Sequence, residues 1–137
     1  MAVFKGHSIS KQKKVTGEAL VTTDMVAFLG SMDFESGEIV ELGHQARGQN
    51  VAGKILVCPG GKGGCGDPFG FYFLYKSGKA PKAIITMKVQ PTMVAGALIT
   101  NTPMVYGFQE NIVEVFNTGD IISVDGDRGE VELIKKT

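Results

Sequence analysis

The stretch that most constrains the fold is Val51–Tyr75, where an apolar segment meets a glycine-rich loop and then an aromatic segment. The apolar residues 55–58 predict a buried strand, and Asp67 followed by Pro68 predicts a helix that Asp67 caps. Gly78 predicts the end of that helix. The loop would then lie over a helix N-terminus, where free N–H groups and the helix dipole favour a carboxylate or a phosphate. The alternative is a tight turn with no ligand.

Two known nucleotide-binding motifs do not fit this loop. A P-loop needs Gly-Lys followed by Ser or Thr, but Lys62 is followed by Gly63. A dinucleotide-binding loop can be read from Gly61, Gly63 and Gly66, yet the next strand leads into Lys88 rather than ending at an acidic residue. The sequence therefore does not support either kind of nucleotide site.

The balance of charge excludes two classes of partner. The chain has 137 residues, with 14 basic and 14 acidic side chains and a formal net charge of zero. Nucleic acids and membrane surfaces usually require a basic excess, so neither is an expected partner. No segment is long or apolar enough to span a bilayer, and the first residues lack a signal-peptide core. We therefore expect a cytoplasmic protein with one domain, residues 1–137.

Two cysteines, Cys58 and Cys65, flank the glycine-rich loop. A disulfide between them would be unusual in a cytosolic protein. They could act as a pair of metal or cluster ligands, but such sites usually need about four protein ligands. The only histidines, His7 and His44, are distant in sequence. We therefore expect no metal on this chain, a buried Cys58, and a Cys65 thiol that faces a bound ligand.

The order of the predicted elements indicates the fold class. Around the central strand, loop and helix, we predict strands at 2–10, 16–23, 83–87 and 103–106, a helix at 92–98, a turn or short helix at 111–116, and a hairpin of strands 120–125 and 130–134. This order predicts an α/β domain with three β/β/α layers. Its central sheet would be mostly parallel, with a small helical layer and an additional antiparallel β layer. Many of the 19 glycines lie in loops between residues 30 and 66, which indicates where a ligand approaches.

Several short motifs stand in a fixed order over residues 17–137. They are FLGSMD at 28–33, Gly37, His44, Gly48-Gln49, AGKIL at 52–56, Pro59, Lys62-Gly63 and APKAII at 80–85. In this order and spacing they resemble the aconitase X swivel domain, or small subunit, family. The resemblance implies a swivelling β/β/α domain that packs on a large partner subunit, which would carry an iron–sulfur cluster. It also implies that the two subunits dehydrate a small anionic hydroxy acid of the mevalonate 5-phosphate or cis-3-hydroxy-L-proline class.

The resemblance further implies which residues form the substrate site. The glycine-rich loop would bind the anionic substrate through Gly60, Gly61, Lys62, Gly63, Gly64 and Gly66. A second loop would form the facing wall or the subunit contact, with Gly30, Ser31, Asp33, His44 and Arg47. Without the family argument, His44 and Arg47 in a polar loop would be expected to be solvated.

One position departs from the family pattern. In the family, a serine thought to act as catalytic base follows the Lys/Arg-Gly pair, but this chain has Gly64 there. The catalytic candidates are therefore Cys65, as a thiol activated by the helix N-terminus and Lys62, and Asp67, as a general base. Helix capping is the simpler role for Asp67.

Two other functions remain as alternatives. Without the family serine, the chain could be a non-catalytic anion-binding or assembly module of the same fold. A phosphohistidine-carrying domain would need an exposed histidine in the loop before a helix, and neither His7 nor His44 stands there.

Overall fold

Eight strands and three helices make up the part of the chain that the structure, a computed structural model, describes: residues 2–9, 12–64 and 66–137. The strands are β1 (Val3–Lys5), β2 (His7–Ser8), β3 (Lys14–Val21), β4 (Ile55–Cys58), β5 (Ala83–Thr86), β6 (Met104–Tyr106), β7 (Ile121–Asp125) and β8 (Glu130–Lys135). The helices are α1 (Asp67–Lys76), α2 (Pro91–Ile99) and α3 (Ile112–Val115). None of these helices is long and apolar enough to cross a membrane.

The long strand β3 belongs to two sheets. Its first part, residues 14–18, pairs antiparallel with β7, and its last part, residues 19–21, pairs parallel with β4. The hydrogen-bonded order is therefore continuous, β1-β8-β7-β3-β4-β5-β6-β2. Strands β3 to β6 run parallel, whereas β1, β8 and β7 form an antiparallel unit with the start of β3.

Different layers bury the two faces of the parallel strands. Because side chains alternate along a strand, Leu56 and Ile84 share one core cluster with the helix residues Phe71 and Met93. The opposite face carries Ile55, Val57 and Ile85, which share a second cluster with Ile122, Val124 and Val131 of the antiparallel strands. Strands β4 and β5 are buried at every position, which explains why they are apolar apart from Thr86. The predicted β/β/α arrangement is confirmed.

The predicted strand 2–10 is wrong as a single element. The chain breaks at Gly6, so that β1 pairs with β8 and β2 pairs with β6, at opposite ends of the strand order. Gly6 is needed at this break because a Cβ there would lie 2.6 Å from the Tyr106 carbonyl oxygen. Ser10, the last residue of the predicted strand, lies outside the described residues. The other predicted strands and helices agree with the structure to within two residues at each end.

A buried carboxylate fixes the start of β7. Asp120 is fully buried, and it accepts the N–H groups of Asn117 and Thr137, each at 2.9 Å, and the Lys136 ammonium at 3.1 Å. Burial alone would raise the pKa of this carboxyl, but these hydrogen bonds outweigh burial and lower the pKa to about 2. A lowered folded-state pKa means stabilisation that is present above about pH 4 and is lost as the pH falls toward 2.

We expect Asp120→Asn to lower the free energy of unfolding by about 2 kcal/mol at pH 7, because the neutral amide loses the charge that the lowered pKa reflects. Urea denaturation measured between pH 7 and pH 2 tests this expectation. The difference from wild type should shrink as the pH falls below 4. Asp127→Asn, at an exposed carboxylate in the next turn, is the matched control and should change stability by less than about 0.5 kcal/mol. An equal loss for Asp120→Asn at both ends of the pH range would contradict the assignment.

Candidate functional site

Both predicted site loops lie at the carboxyl ends of the parallel strands, the edge where parallel α/β sheets bind ligands. One loop follows β3 and carries the predicted residues between 30 and 47, and the glycine-rich loop follows β4. The two loops are joined through Val26, which donates its N–H to the Gly60 carbonyl at 3.1 Å and accepts the Lys62 N–H at 2.8 Å. The structure therefore brings the two loops together.

The glycine-rich loop lies between the starts of two helices. Its far end leads directly into α1, and Gly61 packs against α2, where a Cβ would lie 3.0 Å from the Met93 methyl group. Gly63 and Gly64 have positive φ angles of +85° and +103°, a conformation that favours glycine. Among the described residues, no group accepts the amide hydrogens of these two glycines. The loop thus offers backbone donors that no described residue occupies, beside two helix N-termini.

Asp67 does not cap α1 as the sequence predicted. Gly66 occupies the N-cap position without a side-chain bond, and Oδ1 of Asp67 instead accepts the N–H groups of Phe28 at 2.6 Å and Leu29 at 3.3 Å. The Asp67 side chain is only 3% exposed, and its Oδ2 has no hydrogen-bond partner in the described part of the chain. Burial raises the pKa of this carboxyl, and the two N–H bonds offset part of the rise. The carboxylate therefore attaches a distant loop to α1.

Two glycines let that loop lie directly against α1. A Cβ at Gly70 would be 2.5 Å from the Leu29 nitrogen, and a Cβ at Gly66 would be 2.3 Å from the Leu29 side chain. Phe28 is fully buried under the loop, with its ring centroid 4.5 Å from that of Phe71. Residues 28–29 are thus held by a carboxylate, by close backbone contact and by aromatic packing.

Glu41 is a site residue that the sequence prediction missed. Its two carboxylate oxygens bind the Lys62 ammonium and the Ser31 hydroxyl, and both of those residues were predicted for the site. These hydrogen bonds, from Lys62 first and then Ser31, lower the pKa of Glu41. Glu41 lies in a short alternating segment, and nothing local indicates a partner 21 residues away. The structure thus links both loops through one carboxylate.

His44 supports the loop after β3 rather than facing solvent. Its side chain is 6% exposed, so the expectation of a solvated histidine is wrong. Nδ1 accepts the Ala46 N–H at 3.1 Å, which leaves Nε2–H to donate to the Met25 carbonyl at 2.9 Å. His44 therefore holds the turn 41–47 against the segment that pairs with the glycine-rich loop.

Three other predicted residues stand apart from that network. Asp33 is exposed and accepts the Glu35 N–H and the Ser36 hydroxyl in its own turn. Arg47 is exposed and donates to a nearby backbone carbonyl, and Gly30 is exposed with a φ of +105°. Within the described residues, neither Asp33 nor Arg47 makes a hydrogen bond to the glycine-rich loop. Their assignment to the facing wall of the substrate site or to a subunit contact stays a prediction.

Of the two cysteines beside the glycine-rich loop, Cys58 lies within the described residues. Cys58 is fully buried on the helix-facing side of β4, and burial raises the pKa of its thiol to about 12. It is therefore the small buried side chain that the sequence suggested, not an available thiolate ligand. Cys65 lies outside the described residues. Among the described residues, no group of three or more His, Cys, Asp or Glu side chains is placed to hold a metal ion.

We expect Asp67→Ala to lower the free energy of unfolding by about 2 kcal/mol, because two backbone N–H groups lose a charged acceptor. Asp67→Asn retains an acceptor oxygen and should stay within about 1 kcal/mol of wild type. Chemical denaturation of both variants tests this difference. Because the pKa of Asp67 is raised, wild type should also lose stability relative to Asp67→Asn as the pH rises through that pKa. Equal destabilisation by Asn and Ala would rule out the acceptor role.

Comparisons with known proteins identify the family. A sequence profile of the aconitase X swivel domain matches residues 3–133. The phosphomevalonate dehydratase small subunit of Methanocella arvoryzae is 43% identical over 130 residues, which cover 95% of this chain and 98% of that relative. The protein of the same name from Archaeoglobus fulgidus is 43% identical over 122 residues, 89% of this chain and 92% of that relative.

A solved structure agrees with these relatives. The holo-form crystal structure of Thermococcus kodakaraensis aconitase X superposes with a TM-score of 0.92 at 39% identity, covering 98% of this chain and 100% of that chain. The resemblance read from the sequence motifs, and with it the predicted class of an aconitase X-type dehydratase small subunit, is confirmed. The chain belongs to the aconitase X swivel domain family.

Proposed function

We propose that this chain is the small subunit of a phosphomevalonate dehydratase and that its glycine-rich loop binds mevalonate 5-phosphate. The observation that carries the proposal is the loop itself, which lies between the starts of α1 and α2 with Lys62 in it. Its Gly63 and Gly64 amides have no acceptor among the described residues. The relatives named for this activity share about two fifths of their residues with nearly the whole chain, which supports the same substrate.

The electrostatics of the loop suit this substrate. Mevalonate 5-phosphate carries a phosphate at one end and a carboxylate at the other, so a site for it must balance two separated negative charges. Each helix N-terminus contributes a partial positive charge of about half a unit, and Lys62 adds an ammonium whose charge the Glu41 carboxylate partly offsets. Glycines let a phosphate approach the backbone closely. We assign one anionic group to this loop and leave the rest of the substrate to the partner subunit.

The residues of this chain indicate which parts of the reaction belong to it and which belong to the large subunit. Cys58 is in the core, and the described residues include no ligand set for an iron–sulfur cluster. We therefore assign the cluster to the large subunit, where it would act as a Lewis acid on the leaving hydroxyl group. This chain binds and orients the anion, and residues 25–31 and 41–47 form the wall facing the glycine-rich loop. Alone, it should not dehydrate the substrate.

Dehydration also requires a group that takes a proton from carbon. Gly64 cannot do so, and its φ of +103° disfavours any side chain there, although a Cβ would meet no atom within 4 Å. One Asp67 oxygen is engaged by Phe28 and Leu29 and the other is buried. We therefore rank Cys65 before Asp67 as the proton-transferring residue.

Reconstitution tests the proposal. The chain is combined anaerobically with its large partner, iron and sulfide, and loss of water from mevalonate 5-phosphate is followed by NMR. We expect a stable complex that dehydrates this substrate, while the isolated chain shows no turnover. The comparison substrate is cis-3-hydroxy-L-proline. Failure to form a complex contradicts the proposal. Tight substrate binding with no turnover beside any partner would instead indicate a non-catalytic anion-binding module.

Substitutions then locate the proton transfer. Cys65→Ala should lower kcat at least about 100-fold, the usual loss when a general acid–base group is removed. Asp67→Asn should lower it far less, because its main role is to hold residues 28–29. Cys58→Ala, in the core, is the matched cysteine control and should retain kcat in the folded complex. If Cys65→Ala and Asp67→Asn both leave kcat intact, the proton-transferring group is not on this loop.

A further inference from the structure

We propose that Glu41 is a positioning residue of the substrate site, which holds the Lys62 ammonium beside the glycine-rich loop from an anchor on the buried Ser31 hydroxyl. The inference rests on the proposed function, since the substrate anion is the ligand that Lys62 would meet. Glu41 itself would not touch the reacting atoms. It would act through Lys62.

The three side chains form a chain of contacts from the core to the surface. Ser31 is fully buried, the Glu41 side chain is 27% exposed, and the Lys62 side chain is 42% exposed. Ser31 is itself fixed, because its Oγ accepts the Ala27 N–H at 3.3 Å and its carbonyl accepts the Glu41 N–H at 3.2 Å. Glu41, whose carboxylate binds Lys62, is therefore held through both its backbone N–H and its side chain.

Lys62 needs such a partner because of where it stands. Its backbone N–H is bound to Val26, but its neighbours Gly61 and Gly63 offer no side chains to pack against. A lysine side chain has several rotatable bonds, and it loses that freedom when its ammonium is held in one place. The bond to Glu41 restricts the side chain before any ligand arrives. It uses one of the three ammonium donors and leaves two for an anion.

Two effects of Glu41 on anion binding oppose each other. Its negative charge repels a bound anion, whereas its hold on Lys62 reduces the ordering that binding would otherwise require. Water at this exposed edge screens the repulsion. The loss of side-chain freedom on binding an anion is not reduced by solvent in the same way. We therefore expect positioning to outweigh repulsion, so that removing Glu41 weakens substrate binding.

A double-mutant cycle in the reconstituted complex tests whether removing Glu41 weakens substrate binding. We expect Glu41→Ala to raise KM for mevalonate 5-phosphate about tenfold, the size of one charge-assisted contact, with kcat changed less than about twofold. Lys62→Met should raise KM at least as much. Because Glu41 positions the anion site through Lys62, the double variant should raise KM no further than Lys62→Met alone does. Glu35→Ala, at an exposed carboxylate on the same loop, is the control and should leave KM unchanged.

Other outcomes of the cycle overturn the inference. Additive effects of the two substitutions would mean that Glu41 acts independently of Lys62, as a residue with only a structural role would. A lower KM in Glu41→Ala would mean that repulsion dominates. A loss of kcat with KM unchanged would place Glu41 in the chemical step rather than in binding.

A second measurement uses the isolated chain and needs no activity. The pKa of Glu41, read by carbon NMR of its carboxyl group, should lie below the ordinary value and should rise in both Lys62→Met and Ser31→Ala. Unchanged pKa values in the two variants, with an active complex, overturn the role of Glu41 alone. A wild-type complex without turnover overturns the proposed function and the role of Glu41 with it, whatever the titration shows.

Discussion

The candidate site depends on the attachment of residues 28–29 to the start of α1. Asp67 accepts their two N–H groups, and Gly70 allows the backbone of the loop to lie against the helix. The rest of the segment 25–31 makes the other connections, to the glycine-rich loop, to Glu41 and to His44. One short segment therefore contacts the glycine-rich loop, Glu41 and His44. A change in its attachment would move all of those groups together.

Much of the fold could be predicted because its signals are local. The apolar residues 55–58, which Pro59 follows, and the largely apolar residues 83–86 are typical of parallel strands covered on both faces. In the structure both strands are buried at every position. The alternation in residues 130–134 indicated a hairpin with one wet face. The glycine-rich loop before Asp67 and Pro68 placed a helix start correctly. In each case neighbouring residues carry the information that selects the backbone conformation.

The contacts that assemble the site could not be predicted in the same way. An aspartate before Pro68 satisfies every local rule for a helix cap, yet its actual partners lie 38 and 39 residues earlier in the chain. Glu41 similarly pairs with a lysine that becomes its neighbour only when β3 and β4 lie side by side. His44 is buried only because the turn around it folds back onto Met25. The assignments of the site residues to catalysis, substrate binding or a subunit contact, those of Cys65, Asp33 and Arg47 included, stay predictions.

The break at Gly6 limits how this subunit can be recognised. Both outermost strands, of three and two residues, come from the same short stretch of chain, so within the described residues these two strands offer only a few backbone groups at the sheet margins. Such short margins are poor templates for an added strand from another protein. A second subunit would therefore have to recognise side chains and loops. The specificity of that contact would depend on which side chains meet rather than on main-chain hydrogen bonds.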